Sequence, residues 1–372
     1  MKKRHYSRCS FVLLLLTFLF LADLGGMRTV KAASKIKLSR SVMTVFETDT
    51  QTLKVIGTSK KVVWTSSNTK VATVSSKGEV KALKTGKTTI TAKVDGQKLT
   101  CEVTVYGVIG TYYLAWNVNW DPSPKNRKLT ASEAAEVRYA INLLIDRTQI
   151  AKIVGVGFPP ATSYVAEGIM EPDGSQFYKH AGPKNAGYYS TKAQTAAAMR
   201  ILKKYYSVSG GKVTNFPNFT YIYNIYNGAA HEKIARNIKS KMKAVGIEMS
   251  IKGYKLEKYM DILDKGNYDL IRYGWAAAAN DPLDFLKVFA AGTNENTCKL
   301  GTGKHASASI DTVDLKGIGK YKNLKGTWKQ TYQQLISYIK EEKNAEIRNK
   351  LLHKAEDLLM ETACVCPLYY FI

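Results

Sequence analysis

Thr89-Ile90-Thr91-Ala92-Lys93-Val94-Asp95-Gly96-Gln97-Lys98-Leu99-Thr100-Cys101-Glu102-Val103-Thr104-Val105 is the most informative stretch of the chain. Ile90, Ala92 and Val94 alternate with Thr89, Thr91 and Lys93, and Leu99, Cys101, Val103 and Val105 alternate with Thr100, Glu102 and Thr104. A period of two gives each strand one buried face. Asp95-Gly96 joins the two runs, and a turn that needs positive φ at both central positions favours that pair of residues. The stretch therefore predicts a β-hairpin with one face in a core.

Working outward, short alternating segments broken by Ser, Asn and Gly extend from Ile36 to Val105. About seventy residues of such strands make a small β-sandwich. Further upstream, Lys2, Lys3 and Arg4 precede an apolar run from Phe11 to Ala22, followed by small residues at Ala32 and Ala33. That order predicts a cleaved signal peptide over 1–33 and an exported, extracellular or cell-surface protein. The run is too short to cross a bilayer about 30 Å thick. Cys9 lies before the run rather than after it, so no lipid anchor is expected, and no later segment reads as a transmembrane helix.

The chain has 372 residues and a formal charge of +25. Beyond residue 33 it still holds 49 basic against 29 acidic residues, of which 13 and five fall within 34–107. The charge is spread too evenly for a nucleic-acid arm, and anionic wall polymers are the partners it suits. Cys101, Cys298, Cys364 and Cys366 are too few and scattered for a disulfide framework, and read as small core residues.

After residue 108 the pattern changes. Thr130 with Glu133 forms a capping box ahead of Val137, Ala140, Ile141, Leu144 and Ile145 on one helix face. Thr191 with Gln194 predicts a second helix start. Strands are expected at Phe219–Tyr226, Ile247–Ile251 and Asp269–Tyr273, helices at His231–Ala244, Leu256–Leu263, Trp328–Ile339 and Ala345–Met360, and a closing extended segment at Pro367–Ile372. Alternation of this kind predicts a layered α/β lobe over 108–372.

Both parts carry resemblances. Val63-Trp64-Thr65-Ser66-Ser67-Asn68, Val71-Ala72-Thr73-Val74, Gly78-Glu79-Val80-Lys81-Ala82 and Thr88-Thr89-Ile90-Thr91-Ala92 closely resemble the group 2 bacterial immunoglobulin-like domain. That resemblance implies a stalk, spacer or adhesion module with Trp64 in its core. The second part resembles the extracellular solute-binding proteins of family 5, the oligopeptide- and dipeptide-binding components of ATP-driven (ABC) importers. The similarity lies in Val137-Arg138-Tyr139-Ala140-Ile141-Asn142 with Ile145-Asp146-Arg147, in Tyr268-Asp269-Leu270, Gly274-Trp275 and Asn280-Asp281-Pro282, and in Leu352–Met360 with Pro367-Leu368-Tyr369-Tyr370. It implies an α/β lobe of periplasmic-binding-protein type, and one lobe only, where members of the family close two lobes on a peptide.

The resemblance places the ligand contacts at Arg272, Trp275, Asn280 and Asp281. Oligopeptide binders of this family carry an Asp three places after the Trp, which pairs with the ligand's α-ammonium, and here that position is Ala278. A half-site without that carboxylate implies weak peptide binding, with an importer permease or a chain bearing the other lobe as partner. A surface spacer with no transport role is the alternative.

No catalytic, metal or cofactor residues are expected. His180, His231 and His305 stand apart in polar sequence, and no nucleophile elbow, paired-carboxylate motif or phosphate loop occurs. The reading is therefore of a non-enzymatic binding protein.

Overall fold

The computed structural model describes residues 35–47, 50–107, 109–155, 157–225 and 229–371. The expected signal peptide lies outside them.

The first part is two facing sheets. Strands β1 (Val42–Phe46), β2 (Thr50–Thr52), β3 (Val63–Ser66), β4 (Ala72–Val74), β5 (Glu79–Ala82), β6 (Gly86–Val94) and β7 (Gln97–Tyr106) divide into the orders β1-β7-β6-β3 and β2-β5-β4. The expected hairpin is β6–β7, with Ile90 opposite Cys101 and Ala92 opposite Leu99. Asp95 and Gly96 sit at φ 52° and 74°, as the turn requires. Ile90, Cys101, Val103 and Val105 are buried with Met43, Val45, Leu53 and Val80 in one cluster. Trp64, expected in the core, is partly buried and packs against this cluster.

The second part is built on a five-stranded sheet. Its elements are β8 (Gly110–Trp116), α1 (Ala131–Leu143), α2 (Arg147–Val154), α3 (Thr195–Leu202), β9 (Phe219–Asn224), α4 (Ala230–Ala244), β10 (Met249–Tyr254), α5 (Leu256–Lys265), β11 (Leu270–Ala276), α6 (Pro282–Leu286), α7 (Gln334–Glu341), α8 (Ala345–Glu361) and β12 (Val365–Phe371). The strand order is β10-β9-β11-β8-β12. β9 runs parallel to β10 and β11, whereas β8 is antiparallel to β11 and β12. Helices cover this mixed sheet and bury a second, larger cluster that shares no residue with that of the sandwich.

The Thr130–Glu133 capping box is present in full. The helix expected from Thr191 begins four residues later, because 190–194 bonds elsewhere: Thr148 N donates to Thr191 O at 3.1 Å and Gln194 N to Leu143 O at 2.8 Å. Helix α2, capped by Asp146, went unforeseen.

The family-like residues around α1 are staples. Asn142 accepts from Trp116 Nε1 at 2.9 Å and donates to Tyr189 Oη and Ala363 O, each at 3.0 Å. Arg147 Nε donates to Pro367 O at 2.7 Å, and its guanidinium lies 4.4 Å from the Tyr189 ring centroid. Arg138 Nε and Nη2 both donate to Thr362 O. These groups tie α1 to the turn between α8 and β12, and α2 to β12 itself. All four described cysteines are free and buried.

The histidines are not isolated in polar surroundings. His231 and His305 are buried. His353 Nε2 and His180 Nδ1 both meet the Glu171 carboxylate, at 2.8 Å and 3.1 Å. Folding has gathered groups that lie up to 182 positions apart in the chain.

Candidate functional site: a cavity around Arg272

β8 and β11 pair along their whole length, from Gly110 opposite Ala276 to Trp116 opposite Leu270. At the Gly110 end lies a cavity of ≈ 730 Å³, walled by Tyr112, Tyr259, Arg272, Ala278 and Phe371 of the lobe and by Glu47 and Gly107 of the sandwich.

Arg272 forms its floor. It is 5% exposed, and its guanidinium carbon lies 4.1 Å from the Tyr112 ring centroid. The ring can lie there because residue 274 is glycine, whose Cβ would stand 2.7 Å from it. Among the described residues no carboxylate pairs with Arg272, and its Nη2 has no hydrogen-bond partner. Burial alone would lower its pKa, but the hydroxyls of Tyr112, Tyr369, Tyr259 and Tyr221 outweigh that and hold it above the ordinary guanidinium value. Burial, and then the charge of Arg272, press His231 down to about 4, so this imidazole is neutral; its Nδ1 lies 2.8 Å from Asn224 O. The hydroxyl of Tyr221, another neighbour of Arg272, is also buried without a partner. Buried polar groups are nearly always bonded, so the unpartnered Arg272 Nη2 marks this cavity-lining residue as unusual.

The other residues singled out from sequence take different places. Trp275 Nε1 donates to Asp284 O at 3.0 Å. Asn280 bridges to the 168–170 segment, accepting from Met170 N at 2.8 Å and donating to Gly168 O at 3.0 Å. Asp281 caps α6 and pairs with Arg348 at 2.7 Å. These three hold the loop after β11 in shape, and only Arg272 of the four lines the cavity. Ala278 lines it too, and its amide donates to Asp284 Oδ2 at 2.5 Å. Tyr112 and Phe371 were not foreseen because aromatic residues in strands read as core, and Tyr259 because it reads as part of the buried face of α5.

The model of the bacterial extracellular solute-binding proteins, family 5 Middle, matches residues 53–297. The chain belongs to this family. Its match begins inside the sandwich and runs through the whole Arg272 loop. Among curated relatives, the Dipeptide-binding protein DppE of Bacillus subtilis is 24% identical over 272 residues, 72% of this chain and 41% of its own length. The Periplasmic murein peptide-binding protein MppA of Escherichia coli is 26% identical over 268 residues, 71% of this chain and 40% of its own. The chain thus spans about two fifths of the length of these relatives. These family relatives are substrate-binding proteins rather than enzymes. A crystal structure of the peptide-binding protein of a peptide ABC transporter shares the fold at a TM-score of 0.51 and 18% identity, covering 71% of this chain and all of that one. The Haemophilus influenzae OppA complex with the peptide RPPGFSPFR aligns at 0.50 with 22% identity, covering 71% of this chain and 44% of that one.

Proposed function

We propose that this is an exported, non-enzymatic peptide-binding protein of an ABC importer, whose α/β lobe (108–372) supplies one wall of a peptide cleft and whose sandwich (34–107) is an immunoglobulin-like surface module. The observation that carries the reading is the buried guanidinium of Arg272, a residue that lines the cavity and whose Nη2 has no partner among the described residues. A buried charge without a counter-ion is costly, and a ligand carboxylate would offset that cost with a charge-assisted bond. Arginine suits the task because it stays charged when buried. Tyr112 and Phe371 offer flat apolar surface beside it for a side chain.

The ammonium end of a peptide finds less. Ala278 stands where the family resemblance places a carboxylate, and Glu47, the acidic residue on the cavity wall, is bonded to the Thr85 amide and hydroxyl. With one wall and no ammonium anchor, the monomer binds short peptides no tighter than about millimolar. A chain bearing the other lobe, or an importer permease, is the partner that would tighten it. Isothermal titration of the mature protein against a short-peptide mixture tests this. Micromolar binding by the monomer would show that the cleft is complete in another way, and millimolar binding that ignores Arg272→Gln would remove Arg272 from it.

One observation favours a further role as a surface spacer. On the outer face of the sandwich, Thr65, Thr91 and Thr100 stand in register across β3, β6 and β7, and Lys93 faces Lys98. A flat, basic, hydroxyl-bearing face suits anionic wall polymers, and retention on cell walls that is released by salt would distinguish this role.

A further inference from the structure

We infer that the outward face of α4 docks on the surface of an anionic phospholipid bilayer, held by charge and without insertion. Helix α4 turns one face inward, where His231, Ile234, Ala235, Ile238 and Met242 are buried. At about 100° per residue, Lys233, Arg236, Ser240 and Lys243 fall in one line on the opposite face, and all four are exposed. Lys239 and Lys241, both half-buried, flank that line on either side. From Lys233 to Lys243 the line runs about 15 Å along the helix.

The basic face extends beyond the helix. Asn237 Nδ2 donates to Gln149 Oε1 of α2 at 3.3 Å, and the exposed Lys152 stands about one turn further along α2. A Cβ on Gly246 would stand 2.9 Å from that of Lys212, so this exposed lysine borders the C-terminal end of α4. Arg236 pairs with Glu232 at 2.5 Å, and among the described residues no other ion pair holds these basic groups. The concentration is particular to this helix: α4 holds five basic side chains against Glu232 alone, whereas α8, of similar length, holds three against four acids. Beyond Glu232 the next acid in the chain is Glu248, past the helix end. Arg236, Lys239 and Lys243 follow at spacings where like charges repel. A row that works against its own helix is accounted for by an anionic partner.

The arrangement selects among anions. The row crosses the convex back of a helix, and α4 has no Phe, Tyr or Trp on which a base could stack, so a nucleic acid is not its match. The charges spread over an area, from Lys152 on one flank to Lys212 at the end, rather than along a channel that would track a polymer. Lipid headgroups diffuse laterally and gather beneath scattered lysines, and each such lysine adds its own share of attraction. The apolar face of α4 is committed to the lobe core, so the contact is electrostatic and weakens with salt.

The test is co-sedimentation of the mature protein with vesicles of phosphatidylcholine alone or with about 30 mol% phosphatidylglycerol, at about 50 and about 500 mM NaCl. Binding is expected to the anionic vesicles at low salt, and neither to the neutral vesicles nor at high salt. Lys233→Gln with Lys239→Gln and Lys243→Gln should lower the partition coefficient about a hundredfold, and Lys233→Gln alone about fivefold. Lys81→Gln with Lys93→Gln and Lys98→Gln removes the same charge from exposed places on the sandwich and should lower it less than about threefold, which separates the α4 face from the net charge of the chain. The inference is overturned by no binding to the anionic vesicles, by equal binding to both vesicle types, or by binding that the α4 substitutions leave unchanged or the sandwich substitutions lower as much. Binding of soluble polyphosphate without binding of vesicles would also overturn it and assign the face to a wall polymer.

Discussion

The guanidinium of Arg272 stands 4.1 Å from the centroid of the Tyr112 ring, and an aromatic face rather than a carboxylate covers this buried charge. A cation over a ring contributes about 0.5–2 kcal/mol, less than a buried charge costs. Arg272 is then held for something other than stability. Arg272→Met, which keeps the volume and drops the charge, should leave stability within about 1 kcal/mol of the parent or above it while abolishing peptide binding. Urea unfolding checks the first half and titration calorimetry the second. A loss beyond about 3 kcal/mol would make the guanidinium structural.

Glu356 supplies a pH dependence. It is wholly buried on α8, and Oε1 accepts from the Tyr164 and Val165 amides at 3.0 and 2.8 Å while Oε2 has no partner. Burial raises its pKa to about 8, against the lowering effect of those two amides. The folded state thus binds a proton that the unfolded chain releases near its ordinary value of 4.5. Its contribution to stability is fully present below that value and is lost as pH rises toward 8, at up to about 1.4 kcal/mol per unit. Glu356→Gln keeps both amide bonds and cannot ionise. Its urea midpoint should exceed that of the parent at pH 8 and converge with it near pH 4. Parallel midpoint curves would show that Glu356 does not titrate as described.

Legibility followed locality. Asp95-Gly96 and the Thr130–Glu133 box depend on neighbours within a few positions, and both were readable from sequence. The start of α3 was not, because Gln194 is drawn into a bond with Leu143, 51 positions back. Among the site residues, Arg272 could be reached through a family-like loop. Tyr112, Tyr259 and Phe371 could not, because two strand residues and one on α5 meet only in the tertiary fold.

The sandwich should fold without the lobe. Its cluster, from Met43 to Val105, shares no residue with that of the lobe, and its strands close within residues 37–106. An isolated 34–107 fragment is expected to unfold in a single cooperative transition. Ile90→Ala should weaken it by about 2–5 kcal/mol, since Ile90 is fully buried. A featureless melt would mean that the lobe is needed to support it.

Ala278 offers the sharpest test of the cleft. It lines the Arg272 cavity at the position where relatives are expected to anchor a peptide's α-ammonium, and its amide is already held by Asp284 Oδ2 at 2.5 Å. A carboxylate introduced by Ala278→Asp would face the cavity with the loop geometry in place, so a peptide would meet opposite charges at both ends. The neighbouring Asp284 opposes this, but Lys287 and the Ala278 and Ala279 amides hold its carboxyl below the usual range despite burial, so its negative charge is already compensated. A new charge-assisted bond in a half-exposed site should strengthen binding of short peptides about tenfold. The gain should vanish when the peptide's amino group is acetylated and should persist when its carboxyl is amidated, because the latter end belongs to Arg272. Titration of Ala278→Asp with the free, acetylated and amidated forms of one tripeptide reads all three. Equal gains for the free and acetylated forms would mean that residue 278 does not face the ammonium, and the orientation assigned to the peptide would have to be reversed or abandoned.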